Sequence, residues 1–433
     1  MRIIQQLRDA GFVAYFAGGC VRDALLGRVP KDYDVATDAT PDAVRDLFGR
    51  RRTIAFGASF GVIGVLPPVI RSGQDKVEFS SSVSASDSGQ GVSDSGQARV
   101  SVEPTEVATF RSDGEYSDGR RPDSVHYGDA RNDALRRDFT INGLFYDPQQ
   151  GKVIDYVGGR DDLGAGVLRT IGDPVQRFGE DRLRMLRAIR FSATLGFRMH
   201  AETLSAIQRH ADDIGGVSGE RIGAEMRRVL ASPQAFDGLA QMRVSGIDRV
   251  VLPELAGSDM DRLERLLKHA QPRSFSLSLA CIGVVISDSN VTLPEAGLPQ
   301  ISERWRLSSA ELRQVQAAMQ HWKTVINATG VPWSKVQPTL LLRDVQFILG
   351  LAEAIAATDG IAHAGCDLAR GALAWPAKQL DPEPLLRGSD LQSLGFRPGP
   401  EFGKMLTTLR DRQLDGEITT RAQAIDSLPA QES

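Results

Sequence analysis

The chain has little cysteine and no long apolar stretch. Cys20, Cys281 and Cys366 stand far apart among 433 residues, with no CxxC pair. That excludes a zinc knuckle and a disulfide scaffold, and it suits a reducing cytosol. The longest apolar run, Phe275 to Ile286, is interrupted by serines and falls short of the roughly 20 residues a membrane span needs. The N-terminus, MRIIQQLRDAGF, mixes acidic and basic residues in an amphipathic pattern unlike a signal peptide. A large excess of one charge is also missing: 51 Lys+Arg against 55 Asp+Glu give a formal charge of −4. A uniformly basic nucleic-acid coat is therefore excluded, and any polyanion site must be a local patch. Hydrophobic residues at 41% and charged residues at 24% rule out wholesale disorder. The expectation is a soluble, cytoplasmic protein of two or three domains, with no membrane contact and no sign of an obligate protein partner.

Three compositional regimes follow one another. From Met1 to about Gly172, short runs such as VAYFAGG, FGVIGVLPPVI and TEVATFR alternate with Gly, Asp and Pro and predict strands with tight connections. From about Asp173 the pattern takes a helical period: Leu183, Leu186, Ile189 and Ala193 share one face, as do Ile222, Met226 and Leu230. Past about residue 236 the chain is rich in Leu and Ala and predicts helices to the end. Between Arg71 and Pro104 it turns Ser/Gly/Asp/Gln-rich, with the pentad SDSGQ twice. That composition buries too little surface to offset its ordering entropy, which predicts a flexible insertion between strands, or a short partner-binding segment.

Five stretches carry candidate chemistry. Gly18-Gly19-Cys20-Val21-Arg22-Asp23 follows an apolar run. Paired glycines between strand and helix let backbone N–H groups approach a phosphate, and Arg22 adds a forked cation, although ordinary turn chemistry has the same look. In Lys31-Asp32-Tyr33-Asp34-Val35 the i, i+2 spacing puts two carboxylates on one strand face. Such a pair becomes favourable around hard cations such as Mg²⁺; two exposed loop aspartates are the alternative. Glu106, in another strand-like run, is either a third carboxylate for that pair or an edge-strand glutamate. Arg136-Arg137-Asp138 offers cations for a triphosphate and an acceptor for ribose hydroxyls, or else a plain surface cluster. Last, Asp181, Arg184, Arg187 and Arg190 recur every three residues, beside and not within the apolar set. Seven arginines against three acids between Arg169 and Arg198 give a local charge of +4, either a polyanion patch or a solvated, salt-bridged face.

In this order, GGCVRD, KDYDV, EVATFRSDGEYSDGRRPDSV, RRDFTING, RFGEDRLRMLRAIRF and SGERIGAEMRRVL closely resemble the class II nucleotidyltransferases, the tRNA CCA-adding enzymes and bacterial poly(A) polymerases. The stretches span residues 16 to 230, and the distal LRGSDLQSLGFRPGPEFGKMLTTLRDRQLDGEITTRAQAI is similar to the C-terminal region of CCA-adding enzymes. The resemblance implies an α+β chain: a polymerase-β-like α/β head (1–172), a helical neck binding nucleotide and RNA (173–235), and a helical body and tail binding tRNA (236–433). It implies that Gly18, Gly19 and Arg22 grip the incoming triphosphate. Asp32 and Asp34 would bind two Mg²⁺ ions, with Glu106 completing the catalytic carboxylates. Arg137 would contact the nucleotide and Asp138 its ribose, while Asp181 and Arg184 read the base edge of CTP or ATP. Arg187 and Arg190 would continue the nucleotide and RNA contacts, and the partner would be the acceptor arm and 3′ end of tRNA. An Asp accepts from an exocyclic amine and an Arg donates to ring acceptors, a pattern that C and A offer and U and G do not.

Two features qualify the match. The 71–104 insertion is longer than the connection this family leads one to expect. No His is directly followed by Asp, so an appended HD-type phosphohydrolase is not expected. Tyr116-Ser117-Asp118-Gly119-Arg120-Arg121-Pro122 is similar to the flexible loop of enzymes that proceed to add A. Poly(A) addition, or a specialist adding only CC or only A, shares every head motif and stays open. A non-catalytic RNA-binding module is the third possibility, opposed by the intact Asp32, Asp34, Arg137 and Asp181.

Overall fold

The computed structural model describes residues 1–57, 61–67, 104–114, 116, 119, 122–288 and 297–429. Apart from Pro104, the Ser/Gly-rich stretch expected to be a flexible insertion lies outside these residues. The chain divides into two compact units, Met1–Arg184 with Phe197–Ala206, and Met185–Gly196 with Ile207–Ser433.

The first unit is built on a seven-stranded sheet of β1 (Ala14–Ala17), β2 (Val35–Thr37), β3 (Thr53–Gly57), β4 (Val62–Val65), β5 (Thr105–Thr109), β8 (Leu144–Asp147) and β9 (Lys152–Asp155), in the order β3-β4-β5-β2-β1-β8-β9. A separate ribbon pairs β6 (Arg111–Asp113) with β7 (Val125–Tyr127). Alternation along the strands sends successive side chains to opposite faces. On one face Val35, Ile63, Val65 and Val107 pack with Ile4 and Leu7 of α1 (Arg2–Asp9) and Val44 and Phe48 of α3 (Pro41–Phe48). Thr40 caps α3 and Pro41 fills its first turn, where a missing N–H costs nothing. The other face carries Ala17, Ala36, Phe110 and Phe145 under Ala130 and Ala134 of α4 (Ala130–Leu135). The short α2 (Gly19–Leu25) leads directly off β1.

Two pairings position the site. Antiparallel β1 and β2 meet with Phe16 opposite Val35, and the Ala17 N–H donates to the Asp34 carbonyl at 3.0 Å. Parallel β2 and β5 meet with Val35 opposite Val107, so the register carried back one residue sets Asp34 beside Glu106. The sheet thus brings the residues after β1, those before β2 and the start of β5 to one place.

The unit closes with α5 (Gly159–Ala165) and α6 (Pro174–Glu180) and with the first residues of α7 (Leu183–Leu195) and α8 (Ala201–His210). A two-residue strand, Arg198–Met199, pairs in parallel with Val167–Leu168, an element the helical pattern after Asp173 does not announce. The described residues of the second unit form helices only. Its α9 (Gly219–Leu230) buries Ile222, Met226 and Leu230 as their spacing predicts. The apolar run at Phe275 is a 14-residue core helix, Phe275–Asp288, buried on almost every side, and among the described residues no helix is long and apolar enough to cross a membrane.

Candidate active site

Gly18 has φ +71°, a left-handed conformation that an L side chain rarely adopts. Its N–H donates to the Leu144 carbonyl at 2.9 Å, and a Cβ there would lie 2.7 Å from Arg137 Nη1. Glycine is thus required twice, by backbone conformation and by the guanidinium seated against it. Gly19 opens α2, and Arg22 follows within its first turn, nearly buried. Arg22 Nε donates to Asp23 Oδ1 at 2.8 Å and Nη1 to Asn142 Oδ1 at 2.7 Å.

Asp32 and Asp34 precede β2 in its extended lead-in and are not within the strand. Asp32 is exposed and Asp34 half-buried. Burial raises the Asp34 carboxyl to about 6, with the neighbouring Asp32 and Glu106 charges adding to the rise and Arg137 opposing it. The three carboxylates sensed in the sequence therefore share one electrostatic site. Among the described residues no three His, Cys, Asp or Glu side chains converge as a ready-made metal cage. That is the ordinary situation for Mg²⁺, which needs one or two carboxylates and takes other ligands from water and substrate phosphate.

Arg137 is aimed by its surroundings. Nε and Nη2 donate to Asp133 Oδ2 at 3.1 and 2.9 Å, Nη1 donates to the Asn142 carbonyl at 3.2 Å, and the guanidinium stacks 5.0 Å from the Phe145 ring centre. Asp133 is fully buried and also holds Arg136, at 2.6 Å. Burial disfavours its charge, but Arg137 and Arg136 outweigh that and keep the carboxyl below its ordinary range. Asp138 accepts from the Phe139 N–H at 2.9 Å and from Asn142 Nδ2 at 3.0 Å. Asn142 thus ties Arg22, Arg137 and Asp138 together through one amide and its own carbonyl.

Asp181 and Arg184 sit where α6 gives way to α7. Asp181 Oδ1 accepts from the Leu183 N–H at 3.1 Å, capping α7. Arg184 is 8% exposed, and its Nη1 donates to Glu180 Oε2 at 2.5 Å and to the Arg177 carbonyl at 3.0 Å. Tyr116 lies close by electrostatically; burial and its hydrogen bond to Asp113 at 2.8 Å push its hydroxyl up to about 12. Of the loop it belongs to, Ser117, Asp118, Arg120 and Arg121 lie outside the described residues.

The arginine stripe, open in sequence to a polyanion patch or a solvated, salt-bridged face, is salt-bridged but largely buried. Arg177 and Arg184 share Glu180, while in the second unit Arg190 meets Glu225 at 2.5 Å and Arg187 lies 3.9 Å from the same carboxylate. Glu225 is 2% exposed. Long side chains packed against an apolar helix lose water and need acids at close range, so much of the local +4 is spent inside the protein. Sequence reasoning missed Asp133, Asn142, Arg177 and Glu180. Asp133 had a readable signal, its i+3 and i+4 spacing to Arg136 and Arg137; the long-range partners had none.

The chain is similar to known proteins over most of its length. Residues 14–88 and 85–169 match the Poly A polymerase head domain, and residues 196–258 match the probable RNA and SrmB-binding site of polymerase A. The CCA-adding enzyme of Limosilactobacillus fermentum is 30% identical over 98% of this chain and 94% of its own length, and that of Levilactobacillus brevis is 28% identical over 98% and 95%. Among solved structures, the Bacillus stearothermophilus CCA-adding enzyme in complex with CTP superposes with a TM-score of 0.74 at 26% identity, over 98% of this chain and 95% of that one. The Thermotoga maritima CCA-adding enzyme complexed with tRNA has the same fold, with a TM-score of 0.62 at 18% identity over 98% and 92%. With this likeness running the length of both chains, the protein belongs to the CCA-adding enzyme family of class II nucleotidyltransferases.

Proposed function

We propose that the protein adds CCA, from CTP and ATP, to the 3′ end of tRNA without a nucleic-acid template. The observation that carries the reading is the placing of half-buried Asp34 beside Asp32 and Glu106, at the sheet end where Gly18 and Arg137 meet. The RNA 3′-hydroxyl attacks the α-phosphate of the bound nucleotide, and pyrophosphate leaves.

Gly18, Gly19 and Arg22 hold the triphosphate together with Arg137, whose aim is fixed by Asp133. Asp138, braced by Asn142, accepts from the ribose. Asp181 and Arg184 present an acceptor and a donor to the base edge, selecting C and A. Arg187 and Arg190 add contacts to nucleotide and RNA. The helical part recognises the acceptor arm by shape and phosphate; the division proposed is head (1–172), neck (173–235) and body with tail (236–433), with the boundary between compact units falling inside the neck, after Arg184.

Asp32 and Asp34 are the residues to hold Mg²⁺. The donors are hard carboxylate oxygens, and a carboxyl that burial and two like charges hold near 6 gains most from a divalent cation between it and its neighbours. When bound, two such ions activate an attacking hydroxyl and neutralise charge on the leaving oxygen. The three free, buried thiols fit work in the reducing cytoplasm.

The test is incorporation by purified protein with Mg²⁺ on tRNA transcripts lacking three, two or one terminal nucleotides, with CTP and ATP supplied separately and together. Addition that completes CCA and stops supports the reading. A lengthening A tail on any RNA, or addition halting after CC, assigns a sister activity instead. Replacing Asp32 and Asp34 with Ala abolishes incorporation and leaves RNA binding intact.

A further inference from the structure

We infer that Arg177 is a positioning residue that couples the triphosphate grip to base selection, an inference that rests on the function proposed above. Each of its three nitrogens is engaged in a different direction. Nε donates to the Ile171 carbonyl at 2.8 Å, Nη1 to Glu180 Oε2 at 2.8 Å, and Nη2 to the carbonyls of Leu135 and Arg137, the latter at 3.3 Å. Those carbonyls belong to the stretch that carries Arg137 and Asp138, and the Ile171 N–H itself donates to the Asp138 carbonyl at 3.2 Å.

On its other side Arg177 sets the base-reading pair. Its carbonyl accepts from Arg184 Nη1 at 3.0 Å, and Glu180, which it holds, accepts from the same Arg184 nitrogen at 2.5 Å. The Asp181 N–H donates to the Arg177 carbonyl at 3.4 Å. One guanidinium, with 13% of its side chain exposed, therefore fastens the segment at residues 135–138 to the segment at residues 180–184. All four partners are protein groups, which makes it a residue that acts through others. The planar fork is what reaches three directions at once; a lysine keeps the charge, but its three N–H donors sit on one Nζ and lack the spread of three separate nitrogens. A concavity of about 260 Å³, lined by Leu135, Ile171, Gln176, Arg177 and Glu180, adjoins the junction. Because the side chain is largely buried, thermal melts of each variant are read beside the kinetics, so that a folding loss is told apart from a loss of coupling.

The experiment measures kcat and KM for CTP, ATP, UTP and GTP on tRNA transcripts with the wild type, Arg177→Lys, Glu180→Gln and the double variant. In the wild type CTP and ATP are strongly preferred. Arg177→Lys is expected to lower that preference by about tenfold, the scale of coupling within one ion-pair network, chiefly by lowering kcat for the correct nucleotides. In the Glu180→Gln background the same change has a much smaller effect, because the path through Glu180 is already cut. A wild type without preference for CTP and ATP overturns the proposed function, and this inference with it. A selective wild type whose Arg177→Lys variant loses rate on all four nucleotides by one common factor leaves the function standing and refutes the coupling. Fully additive losses in the double variant refute it too.

Discussion

Asp133→Ala is the sharpest probe of how the proposed triphosphate grip is built. The carboxylate has no exposed side-chain surface and receives Arg136 at 2.6 Å and Arg137 at 2.9 Å, while those arginines keep 20% and 18% of their side-chain exposure. Removing one partner from a buried ion pair costs about 3–5 kcal/mol, because the remaining charge stays desolvated. Partial solvation of the two arginines places the expected cost at the low end, about 3 kcal/mol. All four tryptophans lie in the second unit, so their fluorescence is blind to the change. Amide exchange reads the first unit: protection in α4 and β8 falls by about 100-fold at pH 7, since each 1.4 kcal/mol is a factor of ten. The pH dependence carries a definite sign. The folded carboxyl lies below its ordinary range, so its contribution is present above the unfolded value of about 4 and fades as pH falls from there toward the lower folded value. A loss of protection under fivefold at pH 7, or one that grows on acidification, refutes the claim that Asp133 carries Arg137.

Further outcomes follow from other parts of the site. The Asp34 carboxyl, raised to about 6, contributes stability that is lost as pH rises through that value, so Asp34→Asn stabilises the metal-free protein above pH 6 by about 1–2 kcal/mol in thermal melts while abolishing incorporation. Protons and Mg²⁺ compete for this carboxyl, so the Mg²⁺ affinity of the nucleotide-free wild type, read by titration calorimetry, weakens as pH drops through about 6. Gly18→Ala forces a side chain into the left-handed region, with its Cβ 2.7 Å from Arg137 Nη1; it costs about 1–2 kcal/mol in denaturant titration and raises KM for CTP and ATP alike. In the second unit Glu225→Ala strands Arg190 and Arg228, each within 2.8 Å of it, and costs about 3 kcal/mol, an effect that tryptophan fluorescence does report.

Much of the fold was legible because it rests on local patterns. The alternation in VAYFAGG and TEVATFR became β1 and β5, and the period through Leu183, Leu186 and Ile189 became α7 with all three buried. The i, i+2 argument for Asp32 and Asp34 assumed a strand, whereas both precede it, and pairing of Ala17 with Asp34 extends the chain there. Glu106 could be named from its strand, but its neighbour across the sheet, 72 residues back, is fixed by the parallel register of β2 and β5, which no local signal records. The same holds for Glu225 under Arg190 and for Asn142 between Arg22 and Asp138. Spacing tells which side chains share a helix face; it does not tell which acid from another helix will meet them.

The antiparallel pairing of β4 and β5 has a practical consequence. Val65 lies opposite Thr105, so the chain leaves the sheet and re-enters it at adjacent positions. Ends that lie side by side can be joined by a short span, and each doubling of a flexible connection adds only about 0.6 kcal/mol of closure entropy. This connection is the natural port of the first unit for engineering. A tight glycine-containing turn in place of residues 68–103, or a small folded reporter spliced in with termini close together, is accommodated without moving Glu106 relative to Asp34.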